Sequence, residues 1–303
     1  MNNQNPGQHF DSDGLEGKLK RGVSRRDFLR MGGLTVASVG GLLVLGGCGS
    51  SSSSTDSGSS SSTIRIGMEA AYAPYNWQTS TASDYTIPID NVSGAYADGY
   101  DVQIAKKVCE ALGGDPVAEK MSFSGLVDAL NNEQIDLIIA GMTATDERRQ
   151  SIDFSDPYFT GSFGLFVMEG SSYEGATSLA DFSGASVLGQ KDTMLDTVID
   201  DIPNVNHLTP VESVPNMMSH LTQGTCDAIT YNVENEAGYI KANPGIVAIK
   251  FADGQGFQEK VTANVGIKKG NDDKLATINS TLASMSASDL QTIWDAVIDR
   301  QPE

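Results

Sequence analysis

Two stretches of this chain pair a charge with the kind of backbone that could present it to a ligand. In AGMTATDERR, Ala140–Arg149, a glycine, two threonines and two acids separate a short apolar run from paired arginines. The run IDLIIA, Ile135–Ala140, is β-branched and ended by Gly141, so it reads as a buried strand. Asp146 and Glu147 suit the first turn of a following helix. In an open α/β sheet such a strand end lies on the edge where ligands dock, with free backbone N–H groups. Gly141, Met142 and Thr143 then form a cradle for an anion, and a guanidinium such as that of Arg148 can grip a carboxylate bidentately. On spacing alone either Arg148 or Arg149 could instead make a surface ion pair. The second stretch ends the apolar run Ile64–Met68 with Glu69, three residues before Tyr72. A carboxylate under an aromatic wall suits a cationic group, whereas an acidic ligand would meet like charge there. The alternative is that Glu69 points to water at the mouth of a cleft.

An enzyme has less to stand on. His207 and His220 are the histidines beyond the first sixty residues, and there is no H-E-x-x-H or G-x-S-x-G. Carboxylates are so plentiful that an acid pair near a cleft would say little about general acid catalysis. The sequence calls for no cofactor and no metal.

The elements that must hold these residues alternate. Strands are expected at 64–68, 136–140, 163–168, 186–189, 228–230, 247–251 and 265–268. Helices are expected at 102–112, 123–131, 193–202, 217–223, 233–242, 274–285 and 289–298. Such alternation implies parallel sheets and α/β domains, and its two series suggest two lobes. The polar stretch Gln78–Asp98 reads as a long surface loop. Cys109 and Cys226 sit in apolar runs and are expected to be buried free thiols rather than a disulfide framework.

With 303 residues and a net charge of -19, the chain is long enough for two domains and points away from nucleic acid. Residues 1–47 read as an address. SRRDFLR, Ser24–Arg30, is a twin-arginine pattern, and a glycine-rich apolar segment follows it. That segment ends in LGGC, Leu45–Cys48, which resembles the bacterial lipobox. Cys48 is then the lipidated first mature residue, and the serine-rich run up to residue 62 is a tether from the membrane to the folded part.

The folded part resembles the solute-binding proteins of polar amino-acid ABC importers. The matching stretches are Ile64–Trp77, Gly99–Gly113, FSGLVDALNNEQIDLIIAGMTATDERRQSIDFSDPYF (Phe123–Phe159), Thr177–Gln190 and Asn264–Asn271. The resemblance implies an α/β, two-lobed periplasmic-binding-protein-like fold, with a ligand cleft between lobes joined by two strands. Lobe one would be residues 63–157 plus 266–303, lobe two 163–260, and the hinges 158–162 and 261–265. It places the ligand carboxylate on Arg148, Gly141 and Thr143, the aromatic walls at Tyr72 and Phe123, and Glu69 at the far end of the ligand. It also draws in Gln190, Asp192 and Thr193 from the GQKDT loop. One position departs: where the family has an acid for the α-ammonium, this chain has Asn232. Asp192 is a candidate replacement, or equally an exposed acid at a helix start. Trp77 either lines the entrance or packs. The implied function is extracytoplasmic binding of an amino acid and its delivery to an ABC permease, by a monomer held on the membrane through Cys48. Arginine or lysine is the first choice of ligand and glutamine the second; a dehydratase on the same fold is the alternative from another class.

Overall fold

The structure is a computed structural model that describes residues 62–302. The signal segment, Cys48 and the tether as far as residue 61 lie outside the described residues. The first strand, Ser62–Met68, starts exposed and becomes fully buried at Ile66–Met68. Gly67 is required there, because a Cβ would stand 2.4 Å from the Ile135 side chain and 2.8 Å from that of Leu126.

The strand belongs to a five-stranded sheet in the order Gly114–Lys120, Ser62–Met68, Leu137–Ile138, Val261–Ile267, Asp153–Gly161. A second five-stranded sheet runs Asn206–His207, Ser186–Leu188, Ala228–Asn232, Phe163–Met168, Ile246–Ile249. These two sheets, with helices packed on them, make a two-lobed α/β protein. Each is mixed rather than parallel as the alternation suggested: three neighbouring strands are parallel, the fourth runs against them, and the fifth, antiparallel to the fourth, runs with the first three. The reason is the passage between lobes. Phe163–Met168 follows Asp153–Gly161 after one residue, without the helical crossover that a parallel neighbour needs. Val261–Ile267 makes the return passage and pairs antiparallel with Asp153–Gly161, from Val261 opposite Gly161 to Ile267 opposite Asp153.

Other departures have local causes. Of residues 136–140 only Leu137–Ile138 forms strand, because the chain leaves the sheet to build the site. Strand Gly114–Lys120 escapes the sequence patterning: Pro116 and its charged residues hide it, and its place at a sheet edge tolerates a proline. The expected loop at 78–98 contains most of a small antiparallel sheet of Ala71–Tyr72, Asn76–Thr79, Tyr96–Asp98 and Ile87–Pro88. Trp77 packs in that layer, buried. Cys109 and Cys226 are buried free thiols, as expected. The helix Ala287–Arg300 closes the chain, with its Nε 2.9 Å from the Asp98 carboxylate at Arg300 and with Trp294 stacked on Phe159 at 4.8 Å.

Candidate functional site

Arg148 and Arg149 leave the same short helix, Asp146–Ser151, in different directions. Thr145 caps that helix by accepting from the Arg148 N–H at 3.2 Å. The Arg148 guanidinium turns inward. Its Nη1 donates to the Thr143 carbonyl at 2.7 Å, its Nη2 donates to the Asp192 carbonyl at 2.6 Å, and its plane lies 5.2 Å from the Phe123 ring centroid. Burial lowers its pKa from the ordinary guanidinium value, against the opposing fields of Glu147 and Asp192. Arg149 stays exposed over Phe154.

Gly141 sits beside it at φ 61, a left-handed conformation in which a Cβ would come within 3.2 Å of the Tyr72 ring. Its N–H donates to the Tyr158 hydroxyl at 3.3 Å, and that hydroxyl donates to Asp101 at 2.6 Å. The other Asp101 oxygen accepts from Asn76 at 2.8 Å, and Asn76 in turn accepts from the Ala70 N–H at 2.8 Å. A buried polar chain therefore ties the Gly141 turn to the turn that follows Glu69. The pKa of Asp101 is pushed up to about 6 by burial, although the Tyr158 and Asn76 bonds hold it down. The sequence reading missed these residues; the signal available was an acid in a helix turn otherwise made of core residues. Asp101→Ala should leave the Tyr158 O–H and the Asn76 side-chain N–H without an acceptor, at about 1–3 kcal/mol for each. Chemical denaturation should show that loss as a lower midpoint with an unchanged slope.

Glu69 is 8% exposed. Its Oε2 accepts from Gln190 Nε2 at 3.0 Å, so the two lobes touch here. Burial raises the carboxyl pKa to about 7; the Gln190 bond lowers it and the field of Glu212 adds to the rise. No cationic side chain among the described residues offsets that burial. Tyr72, stacked on Tyr75 at 4.9 Å, carries a hydroxyl that accepts from Asn232 Nδ2 at 2.8 Å. The Tyr75 hydroxyl accepts from the same Nδ2 at 3.4 Å. Asn232 Oδ1 is buried with no partner.

These groups line a narrow cavity of about 30 Å³. Glu69, Tyr72, Phe123, Gly141, Thr143, Arg148, Gln190, Thr193 and Asn232 line it, together with Phe163, Met194, Leu195 and Val261. The last four went unnoticed in the sequence because apolar residues in strands and helices read simply as core. Two candidates lie elsewhere. Met142 is buried beneath the cradle, where its carbonyl accepts from the Asn264 N–H at 2.9 Å. Asp192 is exposed at φ 59 and contributes its carbonyl to Arg148, while its side chain does not line the cavity. The positive φ turns the backbone oxygen inward at the expense of the carboxylate. Thr193 caps its own helix, accepting from the Leu195 N–H at 3.1 Å.

Residues 64–296 match the model of the bacterial extracellular solute-binding proteins, family 3. The chain belongs to that family. An L-arginine-binding protein of Pseudomonas aeruginosa is 30% identical over 237 residues, covering 74% of this chain and 83% of that protein. The ABC transporter glutamine-binding protein GlnH of Bacillus subtilis is 28% identical over 205 residues, covering 66% and 71%. Among solved structures, an ancestral arginine-binding protein bound to arginine superposes with a TM-score of 0.64 at 26% identity, covering 78% of this chain and 98% of that one. The solute-binding family and these relatives are binding proteins, so the cavity between the lobes is the place to seek a solute.

Proposed function

We propose that this solute-binding protein holds a cationic amino acid, L-arginine ahead of L-lysine, between its lobes and passes it to an ABC import permease. Glu69 carries the reading. A buried carboxylate with no cationic neighbour is an unmet charge, and a guanidinium or ammonium tail would meet it while Tyr72 covers the aliphatic stem. Arg148, Gly141 and Thr143 would take the ligand carboxylate. The arginine-binding relatives support this choice. Closure would turn on residues 158–162 and 261–265, which pair with one another where the chain passes between the sheets.

We take the chain as a binder and not an enzyme. His207 is held by Asp196 and Asp200, and His220 by Thr225, and neither lines the cavity. Calorimetric titration with arginine, lysine, glutamine and glutamate tests the proposal. Arginine and lysine should bind more tightly than glutamine, and glutamate should not bind. Tight glutamate binding would overturn it.

Delivery rests on a lipid at Cys48, which would keep a monomer beside its permease. Among the described residues no helix is long and apolar enough to cross a membrane. Cys48→Ser should therefore move the protein from the membrane fraction to the soluble fraction. Its retention in membranes would point to another anchor.

A further inference from the structure

Arginine brings three charges, whereas the cavity is lined by two charged side chains, Arg148 and Glu69. If those two take the carboxylate and the tail, the α-substituent is left to Asn232. That side chain is 5% exposed, and its Nδ2 is already given to the Tyr72 and Tyr75 hydroxyls. What it has left for a ligand is Oδ1, a neutral acceptor buried without a partner. Of the acids one residue from the cavity lining, Glu147 and Asp192 are exposed and Asp196 is paired with His207, and none of the three lines the cavity. A buried ammonium facing an amide oxygen gains a hydrogen bond and no counter-charge, so its desolvation is poorly offset. A hydroxyl or an amide N–H satisfies the same oxygen without bringing a charge into the cavity. A bare methylene leaves the oxygen orphaned, which costs more than a changed donor does.

Resting on the proposed roles of Arg148 and Glu69, we propose that Asn232 makes this a site for ω-cationic carboxylates bearing a neutral hydrogen-bond donor at the α-carbon, with arginine as one accepted ligand rather than the best complement. The chemical class is an α-hydroxy or α-N-acylamino acid with a guanidinium or ammonium tail. Net charge agrees with this. Such a ligand is neutral overall and matches one cation and one anion in the walls, whereas arginine leaves an excess positive charge.

The test is calorimetry on the full chain with three probes: arginine, its α-hydroxy analogue, and the deamino analogue with no donor at that carbon. The α-hydroxy analogue should bind at least as tightly as arginine, and the deamino analogue should bind more weakly than the hydroxy analogue by about tenfold or more. Asn232→Asp should reverse the order, favouring arginine over the hydroxy analogue by about tenfold or more. The wild-type comparison stands by itself if that variant does not fold. Arginine binding with the hydroxy analogue weaker by about tenfold or more would overturn this inference and leave the proposed function intact. Failure of all three probes to bind would overturn both.

Discussion

Replacing Arg148 by alanine is expected to abolish binding of any amino acid while the protein still folds. The guanidinium is the one cation lining the cavity, and the ligand carboxylate would be left desolvated without it. Truncating one member of such a pair costs roughly 2–5 kcal/mol, or about 30-fold to several thousand-fold in affinity. Arg148→Lys should recover only part of this, since an ammonium cannot present the fork that matches a carboxylate. The fold should survive, because the side chain leaves a short surface helix with no core residues and bonds to two carbonyls that water can serve. Calorimetry showing wild-type affinity in Arg148→Ala would remove the site from this cavity.

The second large effect belongs to Glu69. Arginine binding needs its carboxylate, and the ligand-free carboxyl has its pKa raised to about 7. Affinity for arginine should therefore rise by about tenfold per pH unit from pH 5 towards 7 and flatten above it. Glu69→Gln should bind arginine more weakly by about tenfold or more at pH 8 and lose that slope. The sign for the ligand-free protein is opposite. A carboxyl whose folded pKa is raised contributes stability below its ordinary value near 4.5 and loses it as pH rises through 7. Glu69→Gln should then stabilise the ligand-free fold more at pH 8 than at pH 5. Thermal unfolding at the two pH values checks the difference, with Asp101, which titrates near 6, common to both proteins.

Why some of this was legible and some not follows from particular residues. The AGMTATDERR stretch could be read as an anion cradle because it combines a strand end, a glycine and a helix start, each with a local signature, while Arg148 was told from Arg149 by the family resemblance. Glu69 stood out as a charge directly after an apolar strand. Asp101 did not, because its role depends on Tyr158 and Asn76, which lie 57 and 25 residues away along the chain and are brought together by the fold. The strand Gly114–Lys120 was lost for a related reason: an edge position relaxes the alternation that makes a strand visible. Mixed strand direction was hidden too, since it arises from the chain passing between lobes and not from any local pattern. The two readings of Asp192 stayed open because sequence shows a side chain's chemistry and not whether the backbone beside it turns the carbonyl inward.

The central claim is that Glu69 is the counter-charge for the ligand's cationic tail. Carbon-13 NMR of the glutamate side-chain carboxyls across pH, with the Glu69 signal assigned by its loss in Glu69→Gln, measures this directly. The ligand-free protein should show a Glu69 midpoint near 7, and saturation with arginine should lower it by about two units or more, because a cation bound to the carboxylate holds it ionised. A midpoint that stays where it was when arginine fills the cavity would contradict the account.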